Sequence, residues 1–385
     1  MSAFLKLGDQ CDKIGSGYTP SGGHKSYVAN GTPLIRSQNV LMRSFTHQGL
    51  AYISPTTHAE MQGSEVISGD VLLNITGASI GRVCVVPDEL CPANVNQHVC
   101  IIRCQSKFDP TFLALFLSTP EFQKFIMDTQ AGGTRQALTK TDIEGFQIPN
   151  ISLEAQQDIA SSLLTNLKLI QSATNASFLQ QGDVIAFGAA VVSASCEDKS
   201  AQRVSLGKVL EEVKDGIGDS WQDHPVLGAT RSGLAPARER PGKHAERYKP
   251  VTAGTVFYNP MRILIGSIAF VDDDDEPGIT SPDYVVLKGK PGVVDSRWFY
   301  YWLRSPLGER CIQSLARGAV RERMLFNRLA EGEIELPDYD TQVKASKALA
   351  QIKPMRTAIQ KQIAELELMP KKLLAQVFDS DSIRP

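Results

Sequence analysis

Basic side chains cluster in the second half of this 385-residue sequence. Between Arg231 and Lys249 the only acidic residues are Glu239 and Glu246. A guanidinium group can form two hydrogen bonds with a phosphate or with guanine, and a nearby aromatic ring can pack on a sugar or a base. This pattern predicts contact with nucleic acid. The candidate contacts in this half are Arg231, Arg238, Arg240, Lys243, Arg247, Tyr248, Lys249, Arg262, Arg317, Arg321 and Arg323.

The first half is less basic and offers amide and hydroxyl groups in addition to a few arginines. Asparagine and glutamine are the natural two-point partners of adenine in the major groove. The candidate contacts in this half are Arg36, Gln38, Asn39, Arg43, Thr76, Arg82, Asn96, Gln97, Thr134, Arg135 and Gln136.

The net charge of the whole chain opposes a simple nucleic-acid binder. The 40 basic and 42 acidic residues give a charge of −2, whereas proteins that neutralise phosphates usually carry a basic excess. Two local basic faces on a near-neutral chain need a partner that contributes affinity. The charge therefore indicates one subunit of a larger assembly.

Sequence motifs for catalysis are missing. Residues 228–233 have the glycine spacing of a phosphate-binding loop but lack its lysine. Residues 258–261 read Tyr-Asn-Pro-Met, which lacks the second proline and the aromatic residue of the Asn-Pro-Pro-aromatic motif of amino-methyltransferases. The six histidines form no recognisable arrangement with a nucleophile. We expect no catalysis by this chain itself.

Two groups of residues have the composition of a metal site, and we predict a metal at neither. The first group is Cys84, Cys91, Cys100, Cys104 and His98. It contains no C-x-x-C pair, and Cys100 and Cys104 fit one face of a strand. The second is the acidic run 272–276, which is more typical of a solvated turn.

Composition and hydropathy place the chain among globular proteins of two or three domains, because 42% hydrophobic residues permit real cores. The seven cysteines are odd in number and irregularly spaced, which favours reduced thiols. No window approaches the ~20 apolar residues of a membrane span, and the N-terminus lacks a signal-peptide profile. We therefore predict a cytoplasmic protein without membrane contact.

The sequence contains a duplication. A first series of residues recurs 186 positions later, and a second series recurs at 185. The first series pairs Asp109, Leu117, Pro120, Ile126, Gly132 and Gln156 with Asp295, Leu303, Pro306, Ile312, Gly318 and Gln342. The second pairs Gly69, Asn74 and Gly81 with Gly254, Asn259 and Gly266.

Each copy has the same predicted order of elements. A short apolar strand ending at Gly8 or Gly207 precedes a turn-rich stretch. Strands are then predicted at 70–75, 82–86 and 98–103, and at 255–258, 263–271 and 283–287. Asp109 and Asp295 are predicted N-caps of the helices that follow, and a proline opens a second short helix in each copy.

A long helix is predicted from Ser152 to about Phe187, with a second one near the C-terminus. At ~1.5 Å per residue the first would measure about 54 Å, which suits pairing with another long helix. The predicted pairing residues are Ile159, Leu163, Leu167, Ile170, Phe178, Leu349, Ile352, Ile359, Ile363 and Leu366. Pro354 should kink the second helix or start a new one, and Pro370 should interrupt it.

The predicted fold class is α+β. Two β-rich globular domains, related by an approximate two-fold, are separated by an antiparallel two-helix coiled coil. The predicted bounds are 1–150 and 200–337 for the globular domains, 151–199 for the central helix and linker, and 338–385 for the C-terminal helix.

In series, these motifs resemble the DNA specificity subunit of type I restriction-modification systems over nearly the whole chain. In the first half the resemblance rests on residues 69–72 with Gly81, on 109–138, and on 148–160. In the second half it rests on residues 248–249, 258–262, 266–269 and 281–284. The second half departs from the pattern at 336–342 and at Pro354.

The resemblance implies a non-catalytic chain with two target-recognition domains, each reading one half of a split, asymmetric site in double-stranded DNA. It implies docking of two modification subunits and, through them, of restriction subunits. S-adenosylmethionine, ATP and Mg²⁺ would belong to those partners. We expect the half-sites to lie about one helical turn apart.

Two other classes of function remain open from the sequence. A protein-binding scaffold with two β-rich modules on a helical rod would explain the modest charge. A nuclease or methyltransferase acting alone is the third hypothesis, although its motifs are missing.

Overall fold

The computed structural model describes residues 4–130, 137–237, 240–316 and 323–379, with no description of the Gln130 side chain. Contacts divide the chain into two units. Unit 1 comprises Met1–Asn175 with Ala364–Pro385, and unit 2 comprises Ala176–Ile363. Each unit thus includes part of the central helix and part of the C-terminal helix.

Unit 1 is built from short strands and helices. The strands are β1 (Phe4–Lys6), β2 (Cys11–Ser16), β3 (Thr32–Ile35), β4 (Val40–Leu41), β5 (Ser44–Phe45), β6 (Ala51–Ile53), β7 (Glu65–Val66), β8 (Val71–Asn74), β9 (Val83–Val85), β10 (Ala93–Val95), β11 (Val99–Cys104) and β12 (Gln147–Pro149). The helices are α1 (Pro55–Glu60), α2 (Pro110–Leu117), α3 (Pro120–Gln130) and α4 (Lys140–Glu144), followed by α5 (Leu153–Cys196), which continues into unit 2.

An antiparallel sheet of order β2-β11-β8-β9 forms the centre of unit 1. Successive side chains of a strand point to opposite faces. Val71 and Leu73 of β8 therefore join the core that contains α2, whereas Leu72 joins the core on the other face. The mixed sheet β6-β3-β10-β7, in which β3 and β10 are parallel, contributes to that second core.

Unit 2 continues with further short strands and with the remaining helices. The strands are β13 (Gln202–Ser205), β14 (Leu210–Glu212), β15 (Leu227–Thr230), β16 (Gly233–Pro236), β17 (Lys249–Val251), β18 (Thr255–Tyr258), β19 (Ile268–Val271), β20 (Gly278–Thr280), β21 (Val285–Gly289) and β22 (Glu333–Leu336). The helices are α6 (Leu206–Val209), α7 (Ser296–Arg304), α8 (Pro306–Leu315), α9 (Phe326–Leu329), α10 (Tyr339–Leu349) and α11 (Ile352–Phe378), whose last part belongs to unit 1.

The central sheet of unit 2, β14-β21-β18-β19, has the same antiparallel arrangement as that of unit 1. Val256 and Tyr258 of β18 face the core beneath α7, and Phe257 faces a smaller core with the hairpin β15–β16. The predicted strand 263–271 is wrong in its first part. Ile263–Ile265 form a 3-10 turn that ends at Gly266, whose φ of 82° is left-handed, so the strand begins only at Ile268.

The turn-rich stretches contain strands that sequence patterns did not predict, among them β2, β3 and β15. These strands are short and flanked by glycine and proline, so they lack a sustained alternation of apolar and polar residues.

The duplication is visible in matching contacts. The side-chain oxygen of Gln156 accepts a hydrogen bond from the Asp109 N–H at 2.8 Å, and the side-chain oxygen of Gln342 accepts one from the Asp295 N–H at 2.9 Å. Each glutamine also donates to the carbonyl five residues before it, at 3.0 Å and 2.8 Å. Two residues 186 positions apart thus fix equivalent junctions, α2 with α5 in unit 1 and α7 with α10 in unit 2.

The predicted helix starts are confirmed in both units. Asp109 accepts from the Phe112 N–H at 2.7 Å, and Asp295 accepts from the Trp298 N–H at 2.8 Å. Because these side chains satisfy N–H groups that have no partner inside the helix, they end the preceding loop at a defined residue. The prolines at 120 and 306 open α3 and α8 as predicted.

Helix α5 is longer than predicted, with 44 residues. Its inward-facing positions alternate in steps of three and four from Gln156 through Ala160 and Leu163 to Ser195. In the middle this stripe passes through Ser177, which is 1% exposed, and leaves Phe178 49% exposed. The prediction that Phe178 pairs the helices is therefore wrong, because helical geometry selects the neighbouring serine.

Helices α5 and α11 pack antiparallel in unit 2. A Cβ at Gly188 would lie 2.7 Å from Ile352 Cδ1, and Gln180 and Val184 line one cavity with Met355 and Ile359. In unit 1, Ala160 and Leu163 share a core with Leu374 and Phe378. The structure buries Leu163, Leu349, Ile352, Ile363 and Leu366, and it leaves Ile159, Leu167, Ile170 and Ile359 half-buried.

The two prolines of the C-terminal region act differently. Pro354 lies in the first turn of α11, after the break that follows α10, so a new helix starts there as predicted. Pro370 lies inside α11, which continues to Phe378. The predicted interruption at Pro370 is wrong, because burial of Leu374 and Phe378 in the unit 1 core supports the last turns. Neither these helices nor any other in the described ranges has the length and apolarity to cross a membrane.

The acidic run 272–276 was predicted to be a solvated turn, but four of its carboxylates form ion pairs. Asp272 and Asp273 pair with Arg297 of α7, and Asp274 and Asp275 pair with Lys353 of α11, at 2.8 Å and 2.7 Å. Asp272 and Asp275 are largely buried, whereas Asp273 and Asp274 are exposed. The run therefore ties the β19–β20 turn to two helices of unit 2.

Candidate nucleic-acid interface

A basic groove of about 620 Å³ opens on unit 2 beside the hairpin β15–β16. Its polar lining includes Arg231, Arg240, Tyr248, Asn259, Arg262 and Tyr284. Four of these six were predicted from the sequence. The groove thus combines three guanidinium groups with two phenol rings, which suits a phosphate backbone with stacked or edge-on bases.

Two loops present the groove arginines. Arg231 lies in the two-residue turn between β15 and β16, which Gly233 closes with a left-handed φ of 112°. Arg262 lies in the turn between β18 and β19, here called the β18–β19 turn (residues 259–267). In that turn the side-chain oxygen of Asn259 accepts a hydrogen bond from the Met261 N–H at 3.0 Å. Ser267 donates to the Ala229 carbonyl at 2.7 Å and so joins the turn to the hairpin.

The side chain of Arg304, the last residue of α7, forms hydrogen bonds with both loops. One of its guanidinium nitrogens donates to the carbonyls of Gly266 at 3.2 Å and Ile268 at 2.9 Å. The other donates to the Arg231 carbonyl at 2.6 Å. The guanidinium also lies over the Tyr300 ring, 5.5 Å from its centre. A single side chain therefore sets the spacing between the two arginine-bearing loops.

Replacing Arg304 by methionine tests this positioning role. Methionine is a long, unbranched side chain without a hydrogen-bond donor, so the three carbonyls lose their partner. We expect the stability of unit 2 to fall by about 1–2 kcal/mol and DNA affinity to fall roughly tenfold. Calorimetry and equilibrium binding measure the two effects. Arg310→Met, an exposed arginine on α8, is the control, and equal effects in both variants would contradict the role.

Several predicted contacts of unit 2 do not line the groove. The Lys249 ammonium donates to the Tyr284 carbonyl at 2.8 Å, and burial lowers its pKa, so it fixes the wall and does not project into the opening. Arg323 forms an ion pair with Asp283 at 3.2 Å. Lys243 and Arg247 are exposed outside the lining. Arg238, Arg317 and Arg321 lie outside the described residues.

Sequence reasoning missed Asn259 and Tyr284 as parts of this groove. Both stood in motifs that were noticed, at 258–261 and 281–284. Neither residue is among the contacts predicted from the sequence. The position of Asn259 at the end of β18, after a fully buried strand, is the signal that could have placed it at a loop-bearing edge.

In unit 1 the predicted contacts near residue 40 are used within the protein. Asn39 is fully buried, and its amide donates to the carbonyls of Thr46 and Gln48. Arg36 and Gln38 both donate to the Gly49 carbonyl. Asn96 is also buried and accepts from the His98 N–H at 3.1 Å. The prediction that Asn39 and Asn96 contact DNA is therefore wrong, because buried amides hold the loops that carry them.

Other predicted residues of unit 1 gather at the ends of β8 and β11. Thr76 pairs with the His98 ring at 2.6 Å, and Gln97 contacts both the other ring nitrogen of His98, at 3.1 Å, and the Thr19 hydroxyl. Gln97 is exposed, whereas Arg43 and Arg82 are half-buried. This polar chain lies at the edge of the unit 1 sheet that corresponds to the groove side of the unit 2 sheet, and the residues described there do not form an arginine cluster.

Each unit also contains an equivalent hydrogen bond next to these residues. The Leu138 N–H donates to the Ile75 carbonyl at 2.9 Å, and the Met324 N–H donates to the Pro260 carbonyl at 3.0 Å. Each bond fixes the chain just after a segment that lies outside the described residues. Thr134, Arg135 and Gln136 belong to the first of these segments.

No group of three histidine, cysteine or acidic side chains within the described ranges is arranged to hold a metal ion. The two buried thiols of the cysteine set, Cys84 on β9 and Cys100 on β11, are separated by β8, and burial raises the pKa of each to about 12. A thiol with so high a pKa stays protonated at neutral pH and is a poor metal ligand or nucleophile.

Comparison with known proteins adds a partial match to a family model and similarity of fold. Residues 3–176 match the family model of the type I restriction modification DNA specificity domain. The type I restriction enzyme EcoBI specificity subunit of Escherichia coli is 27% identical over 135 residues. That similarity covers 34% of this chain and 28% of the relative, so the chain matches little more than a quarter of that protein's length.

Two solved structures are similar over almost the whole chain. One comes from work on complex assembly and conformational transition of the type I R-M system, with a TM-score of 0.66 and 17% identity over 99% of this chain and 97% of that one. The other is the HsdS subunit from Thermoanaerobacter tengcongensis, with a TM-score of 0.62 and 16% identity over 98% and 96%. At these identities the matches show the fold, and they confirm the predicted α+β class.

Proposed function

We propose that this chain, whose residues 3–176 match the family model of the type I restriction modification DNA specificity domain, is a DNA specificity subunit that reads a divided sequence in double-stranded DNA. The groove of unit 2 is the observation that carries the proposal for the second half. Three arginines and two tyrosines line it on loops held by a buried framework. Such a surface can contact both phosphates and base edges.

Reading in two halves is supported by the duplication. The same glutamine junction, the same helix caps and the same sheet order occur in both units. The loops at the corresponding edges of the two central sheets differ: those of unit 2 carry arginines, and those of unit 1 carry hydroxyl, amide and imidazole groups. Two related scaffolds with different loop chemistry are expected to prefer different base sequences.

Docking of partner subunits is proposed on the helices. Large apolar side chains are exposed on α5 and α11, and exposed apolar surface of this kind marks protein contacts. On α5 they are Leu164, Leu169, Phe178, Leu179, Ile185 and Phe187, and on α11 they are Met355, Leu368 and Met369. We assign these surfaces to two modification subunits and, through them, to restriction subunits. S-adenosylmethionine, ATP and Mg²⁺ would bind those partners.

Methylome mapping tests the proposal. When this chain is expressed with its modification subunits in a host that lacks other methyltransferases, the methylated sequence should consist of two defined parts separated by an unspecific spacer. Replacing residues 1–150 by the corresponding domain of another specificity subunit should change one part and leave the other unchanged. A continuous site, or a change in both parts, would contradict independent reading by two units.

A mobility-shift experiment separates this function from a protein scaffold. The assembled complex should retard duplex DNA that contains the mapped site at moderate salt, where DNA of scrambled sequence runs free. Assembly without any DNA retardation, at low or moderate salt, would favour the scaffold.

A further inference from the structure

The β18–β19 turn carries an apolar tip directly beside the basic groove. Met261, Leu264 and Ile265 are 56%, 46% and 61% exposed. Three large apolar side chains on one short turn form an unusual surface, because single exposed apolar residues are common but clusters of them mark contact sites.

The tip is rigid. Ile263, between the exposed residues, is buried in the main core of unit 2 and anchors the turn. The Gly266 N–H bonds the Ile263 carbonyl at 2.9 Å, and the Ser267 N–H bonds the Arg262 carbonyl at 3.1 Å. Arg304 holds the carbonyls of Gly266 and Ile268 from behind. The apolar side chains are therefore presented outward by a fixed backbone, and binding need not order a loose loop.

Charge around the tip selects its partner. Arg262 lies within the turn and lines the groove together with Ile265, and Arg231 lines both the groove and the cavity next to Leu264. Apolar side chains flanked by guanidinium groups complement a polyanion that also exposes apolar groups. In duplex DNA the thymine C5-methyl group is the apolar feature of the major groove, beside phosphates and the acceptor atoms of guanine.

We propose that the tip formed by Met261, Leu264 and Ile265 reads thymine through its methyl group in the half-site recognised by unit 2. This inference rests on the proposed DNA-binding function and makes it more specific. The arginines of the groove supply phosphate and guanine contacts, and the tip adds discrimination of T·A from C·G pairs, since cytosine lacks the methyl group.

Replacing thymine by uracil, one position at a time, tests the proposal, since uracil lacks only that methyl group. With the wild-type chain assembled with its modification subunits, at least one substitution in the unit 2 half-site should lower affinity about threefold to fivefold. The same substitution should have no effect on complexes that carry Leu264→Ser or Ile265→Ser. Val293→Ser, which alters another exposed apolar residue of unit 2, should keep the wild-type response.

The outcomes separate this inference from the function on which it rests. If the wild-type complex binds its site but no uracil substitution matters, or the half-site contains no T·A pair, the thymine reading is wrong and DNA recognition stands. The same holds if the serine variants respond to uracil as the wild type does. Increased fluorescence of 2-aminopurine at the contacted step would show a wedge between bases and overturn groove reading. Serine variants that fail to assemble would assign the tip to a protein contact, and absence of specific binding by the wild type would overturn the function itself.

Discussion

Replacing Arg231, Arg240 and Arg262 together by alanine is expected to lower the DNA affinity of the assembled complex roughly 10²-fold or more. These three guanidinium groups line one groove, so their loss removes its positive charge. The slope of log affinity against log salt should become less steep by about three, because each cation that contacts a phosphate contributes about one to that slope. Titrations at several salt concentrations measure both effects.

A matched triple variant controls for loss of charge alone. Lys208, Arg310 and Lys344 are exposed in unit 2 and do not line the groove. Their replacement by alanine changes the net charge equally and should leave the salt slope close to the wild-type value. Lysine at the three groove positions should preserve the slope while relaxing sequence preference, because an ammonium group cannot form the two-point contact with guanine. Equal losses in both alanine variants would show that the groove is not the contact surface.

Replacing Gln342 by leucine is expected to destabilise unit 2 by about 3 kcal/mol. Gln342 is fully buried and serves the Asp295 N–H and the carbonyls of Val293 and Pro337. Leucine has similar size but leaves these three backbone groups without their partner. Amide hydrogen exchange resolved along the chain measures the effect, since protection of α7 and α10 should fall most.

The duplicate residue and an exposed glutamine supply the comparison. Gln156→Leu should lower protection in unit 1, at α2 and the start of α5, by the same mechanism. Gln351→Leu, at an exposed position between α10 and α11, should leave exchange unchanged. If Gln342→Leu also left α7 and α10 protected, the junction would owe its stability to apolar packing alone.

The elements that sequence patterns predicted best are those whose signals are local. Asp109 and Asp295 cap the helices that follow them, because a carboxylate before a helix bonds its free N–H groups wherever that helix packs. Spacing between duplicate residues also identified equivalent glutamines, although their shared hydrogen bonds with the caps could be seen only in the structure.

Predictions that depended on tertiary packing were less accurate. Hydrophobicity favoured Phe178 for the helix stripe, whereas the alternation of three and four residues along α5 selects Ser177. The acidic run 272–276 has the composition of a solvated turn, and only folding brings Arg297 and Lys353 to it. No local pattern reports a partner that lies 25 or 78 residues away.

In the candidate site, too, local signals were predictive and features that depend on tertiary packing were not. Residue type and clustering identified Arg231, Arg240, Tyr248 and Arg262, which line one groove. The same reasoning wrongly included Asn39 and Asn96, because the sequence does not distinguish an amide that faces solvent from one that supports its own loop. The role of Arg304 could not be predicted, since it depends on three carbonyls from distant parts of unit 2.

Arg304 binds main-chain oxygens and no side chain of the loops it supports. Every residue type has such an oxygen, so substitutions at the exposed positions 231, 261, 262, 264 and 265 leave these bonds available. Outward side chains can therefore be exchanged while the frame beneath them keeps its shape. Natural variation, or a library randomised at those positions, should yield new base preferences without the loss of folding that usually accompanies a redesigned surface.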